Sequence, residues 1–576
     1  MLVSVSRRNK LFLESHAQGK VRDRETQSPA REARALPGKL ARIARYHPAM
    51  ARLHEYQGKA ILAANGFKIP CGRAAFTADE AVAAAKELGG EVVIKIQAWT
   101  TGRAGIGGVA FATKPDEVHD HAARMLAMKV GQFLVEAVLV EEKIDIEREF
   151  FLSFAIDDAA RAPVIIFAAG GGSGIEERAS STRRIPCDVN RGPLDSAVNE
   201  AVSLCGLSPA HAKQLAESIR KLFAAARSVE ARSLEINPLV LTNDGQFVAA
   251  DCRITIDDYA VARHPELKIE IAREFDHPPT ALERVAYAVE QSDHRGTFYF
   301  AQLATAAAND SKGLVGFHGA GGGGSMMSMD AIVNAGFTIA NFTDTSGNPS
   351  ASKVYRAARI ILAQPDLVGY FGSGSGVASQ EQYWSAYGLA KAFWELDLDI
   401  PGVIRLGGNT EDRAVDILHR MSKLLRAPVE GYRKSDAPAM IAARFAELVA
   451  GTNGSKWKPR APRVPKCVKE RTIAEAGGEA DSFPYNSTAI ILPVKAGRVW
   501  INTAAWPQIR RAVETHSGGL IVDRDGAPAP SLTSEEFATK DSELLACDVE
   551  CRLAGVEGFY LELDVPGLDE LIGDAR

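Results

Sequence analysis

The sequence predicts an α/β protein of several domains, one of which contains a doubly wound parallel sheet. Three observations support this prediction. The chain has 576 residues, which is enough for roughly three or four domains. From Gly313 onward, short apolar strands alternate with amphipathic helices across glycine turns, the pattern of a parallel sheet with helices on both faces. Earlier in the chain, strands come in pairs around polar turns, which indicates antiparallel hairpins.

The composition excludes several classes of function. Hydrophobic residues make up 46% of the chain, charged residues 24%, and the formal net charge is −5, values typical of an ordinary globular protein. They give no reason to expect a nucleic acid or a membrane surface as partner. No apolar run approaches the roughly 20 residues that span a bilayer. The 7 cysteines are odd in number and thinly spread, so we expect a reducing, cytoplasmic location.

The hairpin from Ser233 to Arg253 is the most informative stretch. Two apolar strands flank a polar three-residue loop that ends in glycine. If this loop pairs Thr242 with Gln246, then Asn237 lies opposite Asp251 on one face of the hairpin. An amide oxygen facing a carboxylate suits Mg²⁺, which also keeps waters and shares phosphate oxygens. A two-residue loop would separate the pair, and an ordinary solvated face is the plain alternative.

A strand and a glycine-rich loop precede that hairpin in the chain. Lys95 lies within an apolar, β-branched strand, and the loop Thr100–Gly108, which contains Arg103, follows at once. A lysine in such a strand usually faces solvent at a sheet edge. Here the lysine and the loop's backbone amides are placed to converge on phosphate oxygens. Further on, Glu141 ends one predicted strand and Glu149 begins the next.

Two glycine-rich turns lie in the second half of the chain. Gly319–Gly324 follows a predicted strand and precedes a helix, and Gly372–Val377 occupies a similar place later. The first turn satisfies the dinucleotide fingerprint, but a run of six small residues does so by composition alone. We interpret it as a helix N-terminus whose free amides hold a carboxylate or a phosphate. Purely structural glycine turns are the alternative.

These segments, in this order, resemble the ATP-grasp fold, and specifically the β subunit of the ADP-forming acyl-CoA synthetases, the succinyl-CoA synthetase family. The resemblance covers about Leu53 to Gly451. It is carried by the segments LHEYQGKAILAANGFKIP, VVIKIQAWTTGRAGIGGV, LVEEKIDIEREF, LEINPLVLTNDGQFVAAD and VIRLGGN. The stretch GAGGGGSMMSMDAI also resembles ATP-citrate lyase. The resemblance implies an ATP-grasp domain followed by a flavodoxin-like domain.

The resemblance also implies a role for individual residues. The nucleotide-binding set is Lys95, Gly102, Arg103, Ala104, Glu141, Ile144 and Glu149, of which Lys95 and Arg103 hold phosphates and Glu141 and Ile144 line the adenine side. Asn237 and Asp251 hold Mg²⁺, while Glu235 stabilises a phosphohistidine that reaches the ATP site. The acid-binding set is His318, Gly319, Gly374, Ser375 and Gly376.

The implied activity is an acid–CoA ligation through a phosphohistidine relay. ATP phosphorylates a histidine on an α-type subunit, the phosphate passes to a small carboxylic acid, and CoA, bound by that partner, displaces it. This chain lacks the Gly-His-Ala-Gly-type motif of the phosphohistidine, so a partner is required. A non-catalytic ATP-binding scaffold subunit is the alternative from another class. ATP and GTP are not distinguished.

His318 and Leu406 bear on the identity of the acid. In the succinate-specific enzymes an asparagine matches His318, so this chain departs from the pattern; a protonated imidazole would bind an acid well. Phosphorylation of His318 itself is a weaker alternative. A citrate-binding arginine of ATP-citrate lyase falls on Leu406, which disfavours citrate. We expect a small acid with a second anionic group, such as succinate, malate or sulfoacetate, answered by Arg405 or His318.

The ends of the chain lie outside the resemblance. Residues 1–49 carry eleven Lys/Arg against four Asp/Glu, and we expect an unstructured leader or a mis-assigned start, with Met50 as the true first residue. The predicted domains are 50–291 (ATP-grasp), 292–450 (flavodoxin-like), 451–466 (a polar, proline-rich linker) and 467–576 (a small α+β module of unknown role).

Overall fold

The computed structural model describes residues 49–100, 102–171, 182–273, 277–292, 298–374, 378–465, 468, 489–494, 497–502, 505, 507–509, 511–512 and 541–574. The chain divides into two compact units. The first comprises Met1–Met128 and Leu134–Glu270, and the second comprises Lys129–Phe133 and Ile271–Arg576. The expected segment 1–49 lies almost wholly outside the described residues. The domain limits expected near 291 and 450 stay predictions.

The larger sheet of the first unit has eight strands and is antiparallel throughout. The order across it is Gly192–Pro193, Arg183–Asp188, Ala162–Ala168, Ile146–Asp157, Ala231–Thr242, Cys252–Ile256 and Arg52–Leu53, with Phe247–Ala249 also paired to Ala231–Thr242. Helices Asp195–Ser203 and Pro209–Ser228 accompany it, and the latter buries Leu215, Ile219 and Leu222. Helix Glu55–Ala64 packs against strand Cys252–Ile256.

The smaller sheet of the first unit has four antiparallel strands in the order Gly72–Ala75, Val138–Glu142, Val92–Ile96 and Val109–Ala112. Helices Ala78–Leu88 and Pro115–Leu126 pack on it. Threonine 77 caps the first of these helices by accepting a hydrogen bond from the Glu80 amide. The remaining short elements of this part of the chain are Ala49–Met50, Arg103–Ile106, Lys129–Val130, Phe133–Leu134, Val261–Arg263, Pro265–Leu267 and Ile269–Ile271.

The second unit contains the predicted flavodoxin-like sheet. Its parallel strands lie in the order Asn341–Asp344, Leu314–Ala320, Leu367–Gly374, Gly402–Arg405 and Val429–Tyr432, with Tyr299–Gln302 antiparallel at one edge and Thr338–Ile339 beside Leu314–Ala320. In chain order the parallel strands are second, first, third, fourth and fifth, which is the flavodoxin arrangement. The fold class is confirmed.

Six helices of the described residues accompany this sheet. They are Ala281–Ser292, Gly322–Asn334, Ala351–Ile361, Tyr383–Glu395, Glu411–Ser422 and Pro438–Ala450. Helix Ala351–Ile361 is buried on nearly every side, because the outer face that a flavodoxin-like domain normally exposes is covered by residues from the C-terminal end of the chain.

That C-terminal part forms a three-stranded antiparallel sheet, Ala489–Val494, Gly497–Asn502 and Phe559–Leu563, with helices Asp541–Leu553 and Leu568–Asp574. Its apolar side chains share one hydrophobic core with helices Ala351–Ile361 and Tyr383–Glu395. These elements form the small α+β module that the sequence predicts at this end of the chain, of which residues 469–488 and 513–540 lie outside the described residues. Helix Asp541–Leu553 was not predicted.

The polar segment after helix Pro438–Ala450 is not a simple linker, which corrects the sequence-based expectation. Trp457 within it is fully buried and donates a hydrogen bond from Nε1 to the Leu362 carbonyl at 2.6 Å. Arg460 stacks on its ring, and Arg463 stacks on Trp394. One large aromatic side chain therefore holds the segment against the domain despite its proline-rich, basic composition.

A buried ionic cluster connects helix Asp541–Leu553, the C-terminal helix discussed below, to the flavodoxin-like domain. Lys391 lies 2.5 Å from both Glu395 and Asp548, and all three side chains are 0% exposed. Asp548 also pairs with Arg552 at 2.8 Å and accepts from the Leu561 amide. Because a buried charge without its partner is strongly unfavourable, this cluster makes docking of the helix specific.

None of the helices within the described residues is long and apolar enough to cross a membrane. The six cysteines in the same part of the chain, Cys71, Cys187, Cys205, Cys252, Cys547 and Cys551, are all free thiols.

Replacement of Asp548 by alanine should destabilise the second unit. The change leaves Lys391 buried with one carboxylate instead of two, and we expect the free energy of unfolding to fall by about 3–5 kcal/mol. Urea denaturation monitored by tryptophan fluorescence measures this effect. Asp416→Ala is the matched control, because Asp416 is 64% exposed and its surface pair contributes less than about 1 kcal/mol. Equal effects of the two substitutions would contradict a structural role for the cluster.

Candidate functional site

Three cations and three carboxylates meet in the first unit, where the smaller sheet approaches the hairpin Ser233–Arg253. The cations are Lys59, Lys95 and Arg103, and the carboxylates are Glu55, Glu141 and Asp251; we call these six residues the phosphate cluster. They come from helix Glu55–Ala64, from strands Val92–Ile96 and Val138–Glu142, from the loop after Val92–Ile96 and from the hairpin. Their formal charges balance.

Lys95 occupies the centre of the phosphate cluster. Its Nζ lies 2.9 Å from Glu55, 2.9 Å from Glu141 and 2.8 Å from the Ala250 carbonyl, and its side chain keeps 13% exposure. Burial alone would lower the pKa of Lys95, but Glu55 and Glu141 raise it above its usual range. The amine is therefore a permanent cation at the mouth of the cluster, not a solvated lysine at a sheet edge.

Arg103 links the smaller sheet to the hairpin. It donates to Glu55 at 2.7 Å and to the Ile96 carbonyl at 3.2 Å, and its other terminal nitrogen pairs with Asp251. Burial opposes its charge, but Asp251 and Glu55 raise its pKa. The arginine reaches this position from a tight turn that begins at Gly102, whose φ of 64° lies in the left-handed region that favours glycine.

Glu55 and Lys59 are functional-site residues that sequence reasoning missed. Glu55 pairs with Lys59 at 2.8 Å, with Lys95 and with Arg103, and both members of the first pair are 2% exposed. Burial would raise the pKa of Glu55, yet the three cations hold it well below its usual range. Between these residues, a Cβ at Gly58 would lie 2.4 Å from Cys252 Sγ, so glycine permits the helix to approach the hairpin. The sequence signal for them is the Glu-x-x-x-Lys spacing, which is also that of an ordinary surface pair on a helix.

The two sides of the hairpin Ser233–Arg253 pair in the predicted register. The Thr242 amide donates to the Gln246 carbonyl at 2.9 Å, and Glu235 pairs with Arg253. The same register runs through Ile236–Cys252 and Leu239–Ala249.

This register places Asn237 opposite Asp251, as expected. Asn237 donates from Nδ2 to Glu235 at 3.4 Å. On the neighbouring strand, Ser153 lies opposite Glu235, and Glu149, four residues away, shares its face. Glu149, Glu235, Asn237 and Asp251 are therefore aligned along one face of the larger sheet.

The oxygen donors at the hairpin fit a magnesium ion that is shared with phosphate. Asp251 keeps 33% exposure, although one oxygen accepts from the Cys252 amide at 2.7 Å and the other pairs with Arg103. In the part of the chain that the structure describes, no group of three or more His, Cys, Asp or Glu residues forms a closed metal site. Mg²⁺ can be bound by as few protein ligands as one carboxylate and one amide oxygen, because phosphates and waters complete its coordination shell.

Three further residues of the predicted nucleotide set have different surroundings. Ala104 lies in the turn Arg103–Ile106. Ile144 is half-buried and lies in the short connection from strand Val138–Glu142 to strand Ile146–Asp157. The carboxylate of Glu141 is 1% exposed and binds Lys59 at 2.5 Å as well as Lys95. Glu141 therefore helps to orient Lys95, and its expected contact with adenine stays a prediction.

A second candidate site lies in the flavodoxin-like sheet of the second unit. A cavity of about 20 Å³ is lined by His318 and Ala320 from strand Leu314–Ala320 and by Gly372–Gly374 from strand Leu367–Gly374. These adjacent strands are the first and third in chain order. After the first strand the chain continues toward one edge of the sheet, and after the third it continues toward the other edge. Ligands of open α/β sheets bind at this topological switch point, beyond the carboxyl ends of the strands.

His318 is buried and uncharged in this cavity, which corrects the expectation of a protonated imidazole. It is 5% exposed, and burial lowers its pKa to about 3. Its Nδ1 lies 2.6 Å from the Tyr370 hydroxyl and its Nε2 lies 3.2 Å from Thr345 Oγ1, which donates to the Gly319 carbonyl at 3.3 Å.

These contacts fix a neutral tautomer of His318. The Tyr370 hydroxyl donates to Nδ1, and Nε2 donates to Thr345. With both ring nitrogens engaged and the ring enclosed, neither nitrogen is available as a nucleophile. The alternative that His318 is itself phosphorylated is therefore not supported.

The other acid-site predictions have mixed outcomes. Gly319 is the last residue but one of strand Leu314–Ala320 and Gly374 ends strand Leu367–Gly374, whereas Ser375 and Gly376 lie outside the described residues. The amide of Gly321, at the start of helix Gly322–Asn334, already donates to Asp344 at 2.9 Å. Arg405, expected to answer a second anion, donates to the carbonyls of Asp436 and Lys434 at 3.1 and 2.7 Å, and to that of Gly374 in the cavity lining at 3.5 Å. Its guanidinium is therefore held by backbone oxygens, and its expected contact with an anion stays a prediction.

Comparison with known proteins agrees with this geometry. A family model described as an ATP-grasp domain matches residues 52–241. The chain is 35% identical over 371 residues to the β subunit of succinate–CoA ligase (GDP-forming) of Thermus thermophilus, with 64% of this chain and 93% of the relative covered. It is 33% identical to the β subunit of the ADP-forming enzyme of Rubrobacter xylanophilus, with 64% and 92% covered.

Among solved structures, ATP citrate lyase from Methanothrix soehngenii in complex with citrate and coenzyme A matches with a TM-score of 0.57 and 18% identity, and the match covers 69% of this chain and 99% of that one. At that identity the likeness concerns the fold alone. The sequence relatives carry the assignment further, because the chain spans nearly their whole length at more than 30% identity. The chain belongs to the family of succinate–CoA ligase β subunits, which are ATP-grasp acid–thiol ligases.

Proposed function

We propose that this chain is the nucleotide-binding β-type subunit of an acid–CoA ligase that activates a small carboxylic acid through a phosphohistidine on an α-type partner, in the cytoplasm. The observation that carries the proposal is the phosphate cluster. Lys95 and Arg103 are permanent cations, 13% and 12% exposed, at a place where two sheets of one unit converge. In the absence of nucleotide their charges are balanced by Glu55, Glu141 and Asp251.

The phosphate cluster is built for an exchange of ion partners. When a nucleoside triphosphate enters, Arg103 leaves Asp251 for a phosphate oxygen, a charge-assisted contact that the guanidinium makes well. Asp251 and Asn237 are then free to hold Mg²⁺, which would neutralise phosphate charge during the transfer. Glu55 remains behind Lys95 and Arg103 and keeps both pointed toward the phosphates. Adenine and guanine are both compatible with this proposal, since the relatives include GDP-forming and ADP-forming enzymes.

The chemistry of the proposed relay has three transfers. The γ-phosphoryl group passes from ATP to a ring nitrogen of the partner's histidine, which releases ADP. A carboxylate oxygen of the acid then attacks that phosphorus and frees the histidine as an acyl phosphate forms. The CoA thiol finally attacks the acyl carbon, and phosphate leaves. Glu235 lies on the same face as Asn237 and Asp251, and it would accept a hydrogen bond from the other ring nitrogen of the phosphohistidine and so position it.

Asp251→Asn should separate folding from phosphoryl transfer. The substitution keeps the size of a 33%-exposed side chain but removes the single negative charge at the proposed Mg²⁺ position. We expect partner phosphorylation by Mg·ATP to fall about 100-fold or more, with the circular dichroism spectrum unchanged. Asp120→Asn is the control, because that carboxylate is 86% exposed in the same unit. Phosphorylation near the wild-type rate at saturating Mg²⁺ would refute the metal assignment.

The isolated chain should bind nucleotide but form no acyl-CoA. Calorimetry with Mg·ATP and Mg·GTP measures the first property, and thioester formation from acid, CoA and nucleotide measures the second. Addition of an α-type subunit should start turnover and place radiolabel from the γ-phosphate on the partner. Phosphopeptide mapping should find no label at His318, since both its ring nitrogens are engaged. Nucleotide binding without any turnover in the presence of the partner would favour a non-catalytic scaffold subunit instead.

A further inference from the structure

The glycine-rich loop Gly102–Gly108, called the phosphate loop below, makes few packing contacts of its own. Four of its seven residues are glycines, and an added Cβ at Gly102 or at Gly105 would meet no atom within 4 Å. Glycine loses more conformational freedom on ordering than any other residue. The position of such a loop therefore depends on contacts at its two ends and on the side chain of Arg103.

The far end of the phosphate loop is tied back to its own sheet. The Gly108 carbonyl accepts a hydrogen bond from the Ile96 amide at 2.9 Å, and the Gly107 carbonyl accepts one from Arg124 at 3.0 Å. An added Cβ at Gly108 would lie 2.5 Å from the Ile96 side chain, so the two segments touch closely. This end of the loop therefore returns to strand Val92–Ile96, from which it set out.

The residues that lead into the phosphate loop are held by the start of helix Glu55–Ala64. The Trp99 ring stacks on the His54 ring, with centroids 4.6 Å apart and an interplanar angle of 15°. Gln97 is 3% exposed, and its Oε1 accepts a hydrogen bond from the Tyr56 amide at 3.2 Å. Its Nε2 donates to two carbonyls of its own strand, so the side-chain amide bridges the strand and the helix.

Glu55 adds a third contact between the same two segments, because it pairs with Arg103 inside the phosphate loop at 2.7 Å. Three consecutive residues at the start of the helix therefore each hold a different residue of the loop or of the segment just before it. The backbone of His54 is itself fixed, since its amide donates to Gln57 Oε1 at 2.9 Å. The start of this helix is thus a firm support for the loop.

We propose that His54, Gln97 and Trp99 are positioning residues for phosphoryl transfer, which hold the phosphate loop where Arg103 meets the phosphates of the nucleotide. This inference rests on the proposed function, in which Arg103 leaves Asp251 when the nucleotide enters. That exchange removes the ion pair between the loop and the hairpin. The contacts with the helix start do not involve Asp251, so they persist through the exchange and keep the loop in place.

Calorimetric titration of the full-length chain with Mg·ATP tests the role of Trp99. Trp99→Ala removes the ring that stacks on His54, and we expect the dissociation constant of Mg·ATP to rise about 3- to 10-fold. Trp99→Phe keeps an aromatic ring and should restore most of the affinity. Tyr259→Ala is the control, since Tyr259 is 87% exposed in the same unit. Wild-type affinity in Trp99→Ala would overturn the inference.

Adenosine distinguishes a misplaced phosphate loop from general damage to the site. Because adenosine has no phosphates, ligand-observed NMR should find that it binds equally well to the wild type and to Trp99→Ala. A loss of adenosine binding as large as the loss of Mg·ATP binding would contradict a positioning role.

A double-mutant cycle tests whether the two rings act through one contact. His54→Ala should also weaken Mg·ATP binding, and adding it to Trp99→Ala should cause little further loss, since either change removes the same stack. Losses that add in full would show that the rings act independently and would contradict the inference.

Amide hydrogen exchange without nucleotide separates this inference from the proposed function. Residues 102–108 should exchange about 3- to 10-fold faster in Trp99→Ala than in the wild type, with the larger sheet unchanged. If their exchange rises but the wild type binds no Mg·ATP, the anchoring of the loop stands and the proposed function fails. If the wild type phosphorylates its partner, but exchange and affinity in Trp99→Ala match those of the wild type, the proposed function stands and the inference fails.

Discussion

The buried carboxylate of Glu55 is the constraint on which the first unit depends. It pairs with Lys59 of its own helix, with Lys95 of the smaller sheet and with Arg103 of the loop that follows, and Arg103 in turn reaches Asp251 of the hairpin. Each charged group is stabilised by groups from another element, so the smaller sheet, the first helix and the hairpin are held together by the residues proposed to meet the nucleotide.

Local rules were enough to predict much of this arrangement. The three-residue turn of the hairpin determined its register, and the register placed Asn237 opposite Asp251 without reference to the rest of the chain. Alternating strands and helices likewise predicted the flavodoxin-like sheet, because parallel strands need a crossover helix between them.

What the sequence did not predict depends on contacts between distant segments. Glu55 and Lys59 read as an ordinary helical pair until the fold brings Glu141 and Lys95 against them. The charge state of His318 depends on Tyr370 and Thr345, which lie 52 and 27 residues away in the chain, and on burial that no local pattern reports. Trp457 lies in a proline-rich, basic segment whose composition indicates a linker, yet a single buried ring outweighs that composition.

Two buried ionic clusters among the described residues show how exposure distinguishes a structural charge from one that can meet a ligand. Around Lys391, the lysine and both its carboxylates are 0% exposed, so no ligand can compete for them and the contact serves docking of the C-terminal helix. Around Lys95, that lysine and Arg103 keep 13% and 12% exposure and Asp251 keeps 33%, which leaves each of the three a direction from which a new partner can arrive.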